Sequence, residues 1–160
     1  VKLTVDIQNA CAQDVPAESD IRTWIETALE QYCEEAEVSV RLVDEAEMAA
    51  LNHTYRNREG PTTVLSFPTE LPDDVPHTHL GDLVVCAPVV SREAAEQGKT
   101  EQSHWTHMLV HGSLHLLGYD HVKDDEAETM ESMETMIMNT LGLPCPYLGD
   151  TRSVSIGGMK

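Results

Sequence analysis

The chain has 160 residues, which suits one domain able to bury a sizeable core. Apolar residues make up 41% and aromatics only 4%, which excludes wholesale disorder and predicts an aliphatic core with the seven methionines as filler. Asp plus Glu number 28 against 10 Lys plus Arg, and the resulting net charge of −18 excludes broad, non-specific binding to polyanions, though not a small basic or metal-bearing pocket.

Residues 1–8 alternate and are β-branched at Val1, Thr4, Val5 and Ile7, which predicts a first strand. Ile21, Trp24, Ile25, Ala28, Leu29, Tyr32 and Cys33 recur at helical spacing and predict a helix over 19–35. Val38, Val40 and Leu42 share one face of a second strand over 37–43. Asp44 then reads as the N-cap of a helix carrying Met48, Leu51 and Tyr55. Gly60-Pro61 breaks the chain, and a short strand over 62–67 runs into Pro68. The proline-rich stretch 68–79 reads as an exposed loop. Residues 80–87 contain Leu83-Val84-Val85-Cys86, a buried strand, and Pro88 suits the first turn of a helix ending near Gly98. A long helix follows over 100–117, closed by Gly118. Ala127, Met130, Met133, Ile137 and Leu141 stripe a last helix, closed by Gly142.

Strands and helices interleave without a clean βαβ repeat, so the expected fold is α+β. It is one domain over 1–148, with a mixed sheet of about four strands packed with helices, and residues 149–160 form a flexible tail. Cys11, Cys33, Cys86 and Cys145 are far apart with no C-x-x-C pair, which fits free thiols in a reducing compartment. No apolar run is long enough for a membrane helix, and no basic segment followed by an apolar stretch opens the chain, so a cytoplasmic protein is expected. No Gly-rich phosphate loop opens any helix.

Five of the eight histidines lie between His104 and His121. Within HGSLHLLGYDH, His111 and His115 are four apart and project from one helix face, about a turn apart. Gly118 lets the chain leave the helix so that His121 can fold back toward them. Three converging imidazoles suit a borderline ion such as zinc, and three protein ligands leave a fourth position open, the pattern of a catalytic site. Unpaired imidazoles on an apolar helix would be costly to bury, and a metal removes that cost. The spacing matches the metzincin motif H-E-x-x-H-x-x-G-x-x-H, except that Gly112 stands where the general-base Glu belongs. Peptide hydrolysis by the usual route then lacks its base. A glycine between two ligands implies that substrate or another helix approaches the backbone there. His104 and His107 share nearly the same face and could orient ligands or touch substrate. Asp120 could bond a ligand imidazole or a bound water, or cap the next turn. Asp124, Asp125 and Glu126 favour the N-terminus of the last helix.

HGSLHLLGYDH, together with GPTTVLSFP (60–68), LGDLVVCAP (80–88), LNHTYRNRE (51–59) and DHVKDDEAETMESME (120–134), resembles the YbeY family of rRNA maturation endoribonucleases. The resemblance spans about residues 38 to 148 in order, and departs from the family at Gly60 and Thr63. It implies a zincin-like α+β domain with a four-stranded sheet, and metal ligands His111, His115 and His121. The implied cofactor is one zinc ion, with nickel or another divalent metal as alternatives. Arg56, matching an arginine that contributes to activity in the family, and His115 are the implied catalytic residues; His107 and Asp120 stand as supporting or substrate-facing candidates. The implied activity is metal-dependent cleavage of single-stranded RNA. It would serve maturation of rRNA, especially at the small-subunit 3′ end, and ribosome quality control. The implied partners are an rRNA precursor and the small ribosomal subunit or its proteins, with no membrane and no DNA. Two other readings of the motif are a ribosome-assembly factor with a structural metal and a metal-dependent hydrolase of another substrate. The proton acceptor stays open between Asp120 and the RNA's own 2′-hydroxyl.

Overall fold

The computed structural model describes residues 2–69, 79–117 and 124–143, with side chains in the last stretch from residue 128 onward. The elements are β1 (Lys2–Asn9), α1 (Glu18–Leu29), β2 (Glu35–Val43), α2 (Glu45–Arg56), β3 (Val64–Pro68), β4 (His79–Cys86), α3 (Ala87–Gln97), α4 (Glu101–Leu116) and α5 (Asp124–Thr140). The four strands form one sheet in the order β1-β2-β4-β3. β1, β2 and β4 run parallel, and β3 is antiparallel to β4 at the edge. The sheet is therefore mixed, and the described architecture is α+β.

Two local departures from the sequence reading have simple causes. α1 ends at Leu29, short of the expected residue 35, because the chain must already be extended at Glu35 to pair with Lys2. The Cys33 amide instead closes a turn onto the Leu29 carbonyl at 3.0 Å, and Tyr32 faces solvent. The first three elements thus make a βαβ unit, which the interleaving pattern did not reveal. Asp44 occupies the N-cap position of α2, but its side chain makes no capping bond. Its carboxylate accepts from the Ala12 amide at 3.3 Å and ties down the segment after β1. Thr100, by contrast, caps α4 through the Ser103 amide at 3.1 Å.

The sheet has a helix layer on each face. On one side, Leu83 and Val85 of β4 join Val38 and Val40 of β2, Ile21, Trp24 and Ile25 of α1, and Trp105 and Leu109 of α4. Alternation sends Val84 and Cys86 to the other side, against Met48 of α2 and Val89 of α3. A further cluster joins α4 to α5 through Val110, Leu114, Met130, Met133, Ile137 and Met138. α4 is accordingly buried nearly all round, which is the condition of a central helix rather than a surface one. Its hydroxyls are satisfied within the helix: Thr106 donates to the Gln102 carbonyl and Ser113 to that of Leu109. Cys11, Cys33 and Cys86 are free thiols. Among the described residues no helix is long and apolar enough to cross a membrane. Residues 70–78 of the expected loop, Gly118 and the tail lie outside the described residues.

Gly112 faces the sheet. A Cβ there would sit 2.8 Å from Leu83 Cδ2 and 3.4 Å from Ser66 Oγ, and Ser66 donates to the Gly112 carbonyl at 3.2 Å. The close approach inferred from the sequence is therefore made by β3 and β4, not by substrate or another helix.

Gly81 has the stronger requirement. The β2–β4 register skips one residue beside it, leaving Leu80 as the extra residue of a bulge. Gly81 has φ +150, and a Cβ would collide with the Phe67 carbonyl oxygen, a backbone atom that side-chain repacking cannot move. Gly81→Ala is expected to destabilise the protein by about 2 kcal/mol or more, read as a lowered urea midpoint at constant slope.

Candidate metal centre

α4 carries His104, His107, His111 and His115 at spacings of three, four and four, which stack their rings along one side. Successive ring centroids lie 6.4, 6.3 and 4.5 Å apart. His104 and His107 are buried, while His111 and His115 are partly exposed. The row therefore runs from the core to an accessible end, and the accessible end carries the two histidines of the HxxxH motif.

His111 Nε2 and His115 Nε2 face each other at 3.1 Å. Two nitrogen ligands of one tetrahedral ion, each bonded at ~2.0–2.1 Å, stand about 3.3 Å apart. The pair thus fits one shared ion with little rearrangement, and neutral imidazole is a common ligand for zinc and its neighbours. Among the described residues no group of three His, Cys, Asp or Glu forms a metal cluster. The proposed third ligand, His121, and its neighbour Asp120 lie outside the described residues.

A carboxylate stands behind the pair. Glu134 on α5 is fully buried. Its Oε2 lies 3.1 Å from His111 Nδ1 and its Oε1 lies 2.5 Å from His107 Nε2. Burial pushes the Glu134 carboxyl up, but the hydrogen bonds of His107 and His111 outweigh it and hold the group well below the usual carboxylate range. Burial also pushes the His107 imidazole down, against the pull of Glu134. The two groups face each other across the α4–α5 interface, Glu134 Oε1 against His107 Nε2. His107, expected from the sequence to orient a ligand or touch substrate, is placed against Glu134.

Glu134 was not singled out from the sequence, although a signal existed. It falls between Met133 and Ile137 on the stripe that α5 buries, and an acid on a buried apolar stripe needs a partner. The partners are on α4.

His104 belongs to a different pair. Its Nε2 lies 2.9 Å from Glu93 Oε1 on α3, and Thr63 Oγ1 donates to that same oxygen at 2.7 Å. Arg56 is exposed at the last residue of α2, the helix whose Met48 packs on the sheet face opposite α4. Among the described residues no hydrogen bond or ion pair joins Arg56 to His111 or His115. The structure brings His107, His111, His115 and Glu134 together. On that opposite face a groove of about 520 Å³ is lined by Gln8, Arg41, Glu47, Tyr55, Phe67 and Asp82. Arg41 is committed there to Glu47 at 2.6 Å.

A family model described as Endoribonuclease YbeY matches residues 6–142. A Pseudomonas putida (strain W619) protein named Endoribonuclease YbeY is 53% identical over 151 residues, covering 92% of this chain and 95% of that one. The solution structure of TM1509 from Thermotoga maritima is similar in fold, with a TM-score of 0.59 at 25% identity, covering 87% of this chain and 92% of that one.

The Glu93–His104 pair makes a pH prediction. The His104 hydrogen bond, with that of Thr63, holds the Glu93 carboxyl below the usual range against its burial. A lowered carboxyl pKa contributes stability above the ordinary value of about 4.3, and that stability is lost as pH falls through the lowered folded value. Glu93→Gln is expected to be less stable than wild type at pH 7 by about 1–2 kcal/mol. Urea unfolding should show the two converging on acidification; parallel pH profiles would refute the assignment.

Proposed function

The chain belongs to the endoribonuclease YbeY family, and on that premise we propose that it cleaves single-stranded RNA using a divalent metal held by His111, His115 and His121. It is an endoribonuclease, a hydrolase of phosphodiester bonds acting in rRNA maturation. The observation that carries the reading is the family match over residues 6–142, which includes both helices that bear the paired imidazoles and Glu134. The finer parts of the proposal are a zincin-like domain over 1–148 with a tail over 149–160, zinc as the ion with nickel or another divalent metal as alternatives, and a cytoplasmic site of action. The substrate is an rRNA precursor cut at the small-subunit 3′ end, with a further role in ribosome quality control. The small ribosomal subunit or its proteins supply sequence selection, since the chain is strongly acidic.

The roles follow from the residues. When bound, the ion supplies Lewis-acid chemistry, making water more acidic and drawing charge from a phosphoryl oxygen. His111 and His115 present their Nε2 atoms to one point, and an ion held there would draw a substrate phosphate to that end of α4. Gly112 is turned into the sheet, so the residue after the first ligand provides no base. Glu134 has no solvent exposure and cannot take a proton from water directly. Neither Gly112 nor Glu134 is therefore proposed as the base, and Asp120 is the candidate among the residues that the sequence singles out. Arg56 would reach the phosphate through its planar guanidinium and steady the developing charge.

Cleavage of a labelled single-stranded RNA tests the reading. Wild type is expected to cut, while His115→Ala and a chelated sample lose at least 100-fold, roughly the scale of a lost preorganised electrostatic group. Arg56→Ala is expected to cut more slowly while still binding zinc. Equal cutting by wild type, His115→Ala and the chelated sample would reject the metal mechanism. Zinc affinity gives a second test. It should fall as pH drops below about 6.5, where protons compete for imidazole nitrogens. Unchanged affinity at pH 5 would mean that the ligands are not histidines.

A further inference from the structure

We propose that Glu134 is the positioning residue of this centre: it sets the ring tautomer of His111 so that a bare Nε2 faces the ion. The inference rests on the metal reading above and deepens it.

A carboxylate held between two imidazole nitrogens at 2.5 and 3.1 Å accepts from both, because imidazole is the more basic partner and keeps the proton. Both ring nitrogens that touch Glu134 must therefore carry protons, His107 at Nε2 and His111 at Nδ1. A neutral His111 protonated at Nδ1 keeps a lone pair at Nε2, on the opposite edge of the ring. That edge faces His115 Nε2 at 3.1 Å. The carboxylate thus lies behind the first ligand and the second ligand lies in front of it. Metal-bound histidines are oriented in this way, by a carboxylate on the nitrogen that does not bind.

A purely structural clasp between α4 and α5 explains less. The surrounding stripe is Met130, Met133, Ile137 and Met138, and an apolar residue at 134 would continue it. Removing a carboxylate from water costs several kcal/mol per ion even after relaxation. Here the cost is offset by two N–H donors, one from each of two histidines a turn apart. His107 is then no ligand through Nε2. Its Nε2 is used by Glu134, and it supplies the second donor that keeps the carboxylate ionised in a dry interface. The histidine row divides accordingly: His111 and His115 face the ion, His107 supports Glu134, and His104 serves the Glu93 pair.

The test uses imidazole 15N NMR on the metal-free full chain and zinc titration against a competing chelator. In wild type the expected spectrum has His111 protonated at Nδ1 and His107 at Nε2. Glu134→Gln keeps the shape but offers one oxygen acceptor, so at least one of the two rings must turn a bare nitrogen toward the amide. Its zinc dissociation constant is expected to rise about 10–100-fold, the usual effect of losing such a partner. Glu134→Asp, which keeps two acceptors, is expected to recover part of that loss. A wild-type His111 protonated at Nε2, or a folded Glu134→Gln with wild-type zinc affinity, would overturn the assignment. Should Glu134→Gln fail to fold, the wild-type spectrum alone decides. Wild type that binds no zinc would instead defeat the metal reading, and the same spectrum would still settle what Glu134 does.

Discussion

A charged carboxylate can stay in an apolar helix interface only where donors meet it, and Glu134 imposes that condition on this protein. Its two oxygens must find two N–H groups on α4, which sets both the rotation of α5 and its height against α4. The methionines around it fill whatever space that register leaves, as an unbranched, polarizable side chain does well. Shifting α5 by one residue would bury the charge without partners, a far larger cost than misplacing a methionine. The same contact fixes the ring planes of His107 and His111. Helix packing and site geometry are therefore one constraint.

α4 is the element through which the rest is organised. Its sheet-facing side must be small at Gly112 because Leu83 and Ser66 come close, and its far side must carry the histidines because α5 and the accessible end lie there. The gradient along the helix has a physical sense. Buried rings are paired to carboxylates, and the partly exposed rings at the end face each other. A ligand position at the accessible end is reachable by a bulky polymer, whereas one near His104 would be sealed. The acidic surface repels RNA, so the local positive charge of an ion held there would matter more than in a basic protein.

Much of this was legible from patterns that depend on near neighbours in the chain. Every strand and helix appears where periodicity and breakers place it, because alternation and the helical repeat report a buried face directly. The C-terminal end of α1 and the role of the Asp44 carboxylate were not legible, since the first is decided by strand pairing and the second by a contact 32 residues away. The HxxxH pair could be read because four residues span one helical turn.

The sequence by itself determined the α+β class, the element order, the row of histidines and the absence of a glutamate beside His111. Each of these follows from local spacing or residue identity, which no packing can alter. Only the tertiary structure decided that Gly112 yields to the sheet, that His104 belongs to Glu93, and that Glu134 reaches His111 from 23 residues away. Those facts depend on how helices sit on the sheet and on each other. A buried charge chooses its partners in space, and chain position says only that it must have them.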